Sequence, residues 1–174
     1  SFRTWPGSIF KRVTKTLGVD VRTERFANPA KAMATLDGVL DSGKPVGMLS
    51  SVYYLPYLPE AFRFHFNAHN LISYGHQEGL YNISDPVLEE VATIQSEDLA
   101  KARFAKGTPE PRGFMYYIKG VPPKIDFATA IQKGIKQNCF MMLSPPLPWF
   151  GINGIFLLSK KIRKYPQNLT PRKS

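Results

Sequence analysis

The sequence predicts an α+β fold. Apolar residues at helical spacing gather near the two ends of the chain, strand-like segments concentrate in the middle, and no regular strand–helix–strand rhythm links them. Among 174 residues, 43% are apolar and 13% aromatic, enough for a packed core, which excludes disorder as an overall description.

Each element has a local reason. Ser8 can cap a first helix reaching Leu17, with Ile9, Val13 and Leu17 on one face and Gly18 as its stop. Residues 19–26 alternate apolar and polar like a strand. Asn28-Pro29 starts a second helix, Met33, Leu36, Val39 and Leu40 form its apolar stripe, and Gly43 closes it. Residues 45–52 read as a buried strand, and the proline-rich YYLPYLP stretch, 53–59, as extended or turning backbone. Residues 67–74 and 80–84 read as two strands around a turn at 75–79. Ser96, followed by Glu97 and Asp98, opens a helix carrying Leu99, Ala102 and Phe104, because acids suit a helix N-terminus. A strand at 114–119 and helices at 127–140 and 152–165 complete the chain, with Pro145, Pro146 and Pro148 separating those last two. No internal repeat is visible.

Charge is unevenly placed. The net +10 comes from seven basic and two acidic residues in 1–31 and eight basic and no acidic residue in 127–174, around a mildly acidic middle. Basic ends of this kind are either solvated flanks or contacts for an acidic partner or anionic surface. Nucleic acid is not the expected partner, because the central region is acidic and no RRM-like or helix-turn-helix pattern occurs. Residues 137–159 are uncharged and precede Lys160, Lys161, Arg163 and Lys164, but their prolines and amides break any continuous apolar helix. A buried helix pair or a membrane-surface face over 137–164 is the better reading. Residues 1–20 hold no apolar run long enough for a signal peptide, and a cytoplasmic location is expected.

The chemistry-bearing segment is residues 68–86. If 75–79 turns a hairpin, facing residues have numbers summing to about 154, which sets His69 against Asp85 at roughly 5 Å between Cβ atoms. A histidine beside a carboxylate is either a structural contact or the orienting half of a nucleophilic triad, where the carboxylate fixes the tautomer. A one-residue slip would put the partners on opposite faces. His65 and His69, four apart, would suit a metal on a helix, but FRFHFNAHNLISY alternates like a strand and no third ligand is evident. His76 reads as an exposed turn residue. The single cysteine, Cys139, excludes an intramolecular disulfide framework and a multi-cysteine zinc site, and its apolar neighbours suggest an inert core thiol. Tyr53, Tyr54 and Tyr57 either line a substrate groove or pack between sheet and helix.

KPVGMLSSVYYLPYLP, HFNAHNLISYG, YNISDP and DLAKAR, in that order, resemble the N-terminal domain of butirosin biosynthesis protein H and its relatives, over roughly residues 1–120. The His strand and the closing Asp-Pro resemble papain-like enzymes of the double-glycine peptidase type. The resemblance implies a papain-like antiparallel sheet with packed helices over 1–122, followed by the start of a helical domain or a basic extension over 123–174. It implies cysteine-dependent acyl transfer from a carrier-protein thioester to an aminoglycoside-type amine, His69 acting as base and Asp85 as its orienter. No cofactor is expected beyond the phosphopantetheine of a carrier-protein donor, and the partners are that carrier protein and a small amine. Papain-like peptidase or amidase activity uses the same residues, and a binding module that lost its nucleophile would keep the same fold. The family's nucleophilic cysteine lies near the N-terminus, where this sequence has none. With its opening at Ser1 rather than methionine, the chain reads as one lacking its first segment, and a free Ser1 is the lesser candidate nucleophile.

Overall fold

The structure, a computed structural model, describes residues 7–165. The chain divides into two compact units, residues 1–123 and 124–174.

In the first unit, helix α1 (Ser8–Leu17) starts from Gly7, which holds a left-handed φ of 75°, and stops at Gly18. Gly7 therefore takes the N-cap position expected of Ser8, and no side chain caps the helix. Strand β1 (Asp20–Glu24) leads to α2 (Pro29–Asp41), where the Asn28 side chain accepts the Lys31 N–H at 3.0 Å. That bond satisfies one of the donors a helix start leaves open. Strand β2 (Val46–Ser50) is followed by 3-10 turns at Val52–Tyr54 and Glu60–Phe62. Then come β3 (His69–Gln77), β4 (Leu80–Ser84), β5 (Ala92–Gln95), α3 (Ser96–Arg103) and β6 (Met115–Gly120). The sequence reading omits β5, which has four residues and runs directly into α3 with no turn residue to mark its end.

These strands form one antiparallel sheet in the order β1-β6-β2-β3-β4-β5. Leu36 and Leu40 of α2 and Leu99 and Ala102 of α3 bury against Met48, Leu71, Ile83, Ile94 and Met115. Each large apolar side chain of this layer contributes about 1.5–3 kcal/mol on burial. On the other face Phe10 of α1 meets the Tyr116 ring edge-on at 4.8 Å. Tyr116 lies opposite Gly47, where a Cβ would overlap its ring, so the glycine makes room for the tyrosine. Arg103, fully buried, donates to the carbonyls of Ala32 at 3.2 Å and Gly113 at 3.3 Å, and burial lowers its pKa to about 10. A guanidinium with five donors suits this task of tying α2 and the loop before β6 to α3.

The β3–β4 hairpin departs from the expected register. Its turn is the two residues Glu78 and Gly79, both with positive φ, a geometry that fits the twist of a hairpin. Pairing runs Gln77↔Leu80, His76↔Tyr81 and Gly75↔Asn82, then shifts to Ser73↔Ile83 and Ile72↔Ser84, leaving Tyr74 as the extra residue of a bulge. His69 is consequently not the direct cross-strand partner of Asp85; on the other edge of β3 it pairs with Ser50 of β2.

The second unit holds α4 (Phe127–Leu143) and α5 (Gly151–Ile162), with the three prolines between them. Asp126 caps α4 by accepting the Thr129 N–H at 3.0 Å, and those bonds to Thr129 hold its carboxyl below the usual range. Among the described residues no helix is long and apolar enough to cross a membrane.

Candidate functional site

One end of the sheet gathers the chemistry. β2 ends at Ser50, β3 begins at His69 beside it, and Asp85 follows the last residue of β4. The intervening 51–68 segment returns the chain to this end, with the Val52 N–H donating to the Phe66 carbonyl at 3.0 Å. Its penultimate residue Asn67 is pinned by donating to the carbonyls of Lys106 at 3.0 Å and Gly107 at 3.2 Å.

His69 Nε2 lies 2.7 Å from Asp85 Oδ2. His69 is 9% exposed and Asp85 3%. The Tyr57 hydroxyl donates to the same Oδ2 at 2.8 Å, and the Val87 backbone N–H donates to Oδ1 at 3.0 Å. An ionised carboxylate only accepts, so Nε2 is the donor in this contact, and in the neutral imidazole Nδ1 then carries the lone pair. Among the described residues nothing hydrogen-bonds Nδ1. Burial, followed by the hydrogen bond and charge of Asp85, pushes the Tyr57 pKa well above that of a free phenol, so it remains a donor. Ser51 Oγ and Asn67 Oδ1, in the same segment, are buried without a partner among the described residues.

The bulge makes the contact possible. Beyond it, the register of Ser73↔Ile83 carries Asp85 level with Leu71, on the buried face shared by His69, Leu71 and Ser73. His69 and Asp85 then meet diagonally, within reach of long side chains. With no bulge, Asp85 would lie level with Ile72 on the exposed face. A glycine inside a strand pattern is the signal for such a bulge, and Gly75 supplies it. The Tyr57 and Val87 contacts carry no comparable sequence signal.

The remaining candidates are placed as follows. Tyr53 is exposed, stacked on His65 at 4.1 Å between ring centroids and edge-on to Tyr54 at 5.1 Å. Tyr54 and Tyr57 are partly buried against the core. His65 lies in irregular backbone rather than a strand, because the 3-10 turn at 60–62 interrupts the alternation. No cluster able to hold a metal occurs among the described residues. His76 is not a turn residue: it lies within β3, and its Nε2 sits 3.0 Å from Asp41 Oδ1 of α2. Cys139 is exposed rather than a core thiol, because α4 has no buried residue and so builds no core around it. Ser1 lies outside the described residues.

An antiparallel sheet whose one end pairs a strand-opening histidine with a buried aspartate after the next strand defines a papain-like α+β domain. Residues 1–86 match the family model described as butirosin biosynthesis protein H, N-terminal, and the chain carries a domain of that family. Residues 97–174 match a domain of unknown function (DUF4872). The second match begins inside the first compact unit and includes β6, which lies between β1 and β2 in the sheet. Among solved structures, a putative C39-like peptidase from Bacillus anthracis is similar, with a TM-score of 0.47 and 16% identity over 70% of this chain. The chain spans 62% of that protein's length. The search of curated proteins finds no match.

Proposed function

We propose that this domain catalyses cysteine-dependent acyl transfer from a thioester to an amine, with His69 as the base and Asp85 as the group that orients it. The observation carrying the reading is the buried 2.7 Å contact of His69 Nε2 with Asp85, which leaves Nδ1 free of protein partners among the described residues. In this scheme Nδ1 takes the proton from a thiol supplied from outside the first unit, whose residues 1–123 hold no cysteine. The thiolate attacks the thioester carbonyl, the donor's C–S bond breaks, and the departing thiolate takes that proton from the imidazolium to leave as a thiol. An amine then attacks the acyl-enzyme, His69 accepts its proton, and as the amide forms the nucleophile's thiolate leaves and takes that proton back from His69. Asp85 holds the Nε2–H tautomer throughout and stabilises the imidazolium. A carrier protein bearing the thioester on phosphopantetheine is the proposed donor. Exposed Tyr53 is the proposed apolar contact for the acyl group.

A binding module is the second reading, favoured by the position of the single cysteine on α4 in the second unit rather than in the first. The deciding experiment incubates the full chain with an acyl-pantetheine thioester and an aminoglycoside amine, following free thiol and amide by mass spectrometry. Amide formation that disappears in His69→Ala supports acyl transfer. Thiol release without amide points to hydrolysis, and no turnover of the thioester sinks the catalytic reading.

A further inference from the structure

The aspartate of this site has a second side-chain partner that neither the family match nor the triad logic assigns. Tyr57 sits in the 51–68 segment between Pro56 and Pro59, whose fixed φ narrows the backbone on both sides of it. Its hydroxyl and the His69 imidazole converge on one oxygen, Asp85 Oδ2, at 2.8 and 2.7 Å, while Val87 N–H occupies Oδ1 at 3.0 Å. The carboxylate would otherwise be free to turn about its terminal torsion, which is broad and roughly two-fold. Donors on both oxygens fix that torsion, and the tyrosine specifically fixes the oxygen that His69 uses.

We propose that Tyr57 is a positioning residue for the base: its hydroxyl locks Asp85 Oδ2 onto His69 Nε2–H and so holds Nδ1 in the orientation that accepts a proton. This replaces a substrate contact as the role of Tyr57 and rests on the reading of His69 as base. The phenol acts only as a donor, because its environment opposes ionisation. The hydroxyl points at Asp85, so a substrate would have to break an existing charge-assisted bond to reach it.

The test is Tyr57→Phe, which removes the donor and keeps the ring. NMR of the 15N-labelled full chain reads the exchange of the His69 Nε2–H with water. At least tenfold faster exchange is expected, with the amides of β3 and β4 keeping their protection. In the thioester assay kcat falls about tenfold, the weight of one such hydrogen bond, and KM is unchanged. Unaltered Nε2–H exchange overturns the proposal, and so does a rise in KM at constant kcat, which would make the hydroxyl a substrate contact. If Tyr57→Phe does not fold, the wild-type chain decides. A through-space contact between the Tyr57 hydroxyl proton and the His69 Nε2–H is expected, and its absence refutes the geometry. Lack of thioester turnover by the wild type would defeat the acyl-transfer reading alone, because both NMR measurements are independent of activity.

Discussion

Asp85→Ala tests the energetic centre of the site. The carboxylate is fully buried and accepts from His69, Tyr57 and Val87. Alanine removes the acceptor of the partly buried phenol and of the Val87 N–H, whose residue is 63% exposed, so water replaces part of each bond and each loss is about 0.5–1.5 kcal/mol. His69 retains some access to solvent, so its share is smaller. The expected loss is about 1–3 kcal/mol from the first two bonds, with the His69 share added to it. The assay is urea unfolding of wild type, Asp85→Ala, His69→Ala and the double variant, with slopes compared to confirm that the same transition is read. The pairwise coupling should be about 0.5–3 kcal/mol, since contacting residues do not add. Asp85→Ala within about 0.5 kcal/mol of wild type, a surface-like effect, or additive single variants would show that the three donors do not depend on this carboxylate.

Three further outcomes follow from particular contacts. Tyr57 and Tyr81 both have phenol pKa values raised in the fold, first by burial and then by Asp85 and Asp37 respectively. Their contribution is fully present below the unfolded tyrosine pKa of about 10 and is lost as pH rises above it. Alkaline titration should therefore show at least these two phenolates appearing only with unfolding, Tyr116 being raised by burial as well, and titration of all tyrosines in the folded protein would contradict this. Gly47→Ala should cost about 1–3 kcal/mol by thermal melting, as the added methyl meets the Tyr116 ring, with recovery when Tyr116→Ala is combined with it. Cys139 should alkylate with iodoacetamide in native buffer about as fast as in urea, because it is exposed; strong native protection would mean that α4 is covered.

What the sequence reveals is the local chemistry of each element. Asn28-Pro29 announces α2 because cap and ring act within one turn, and Gly18 and the prolines at 145, 146 and 148 likewise mark their boundaries. Long-range consequences are harder to read. Arg103 looks like a surface residue by type, yet carbonyls 71 and 10 positions away make its burial tolerable. Cys139 looks buried by type, yet α4 has no core around it. His69 and Asp85 show both behaviours at once. Their residue types and order suggest a contact, but a simple count from the hairpin turn pairs the wrong positions. A two-residue turn at 78–79 with uniform register would place Asp85 on the outer face, and one extra residue at Tyr74 returns it to the inner one. The bulge therefore decides both whether β4 packs Ile83 into the core and whether Asp85 reaches His69. Deleting Tyr74 cannot separate those effects, whereas Asp85→Ala leaves the register intact and removes only the contact. Fold and site here share one register, and that is why the side-chain substitutions at 57, 69 and 85 are the informative ones.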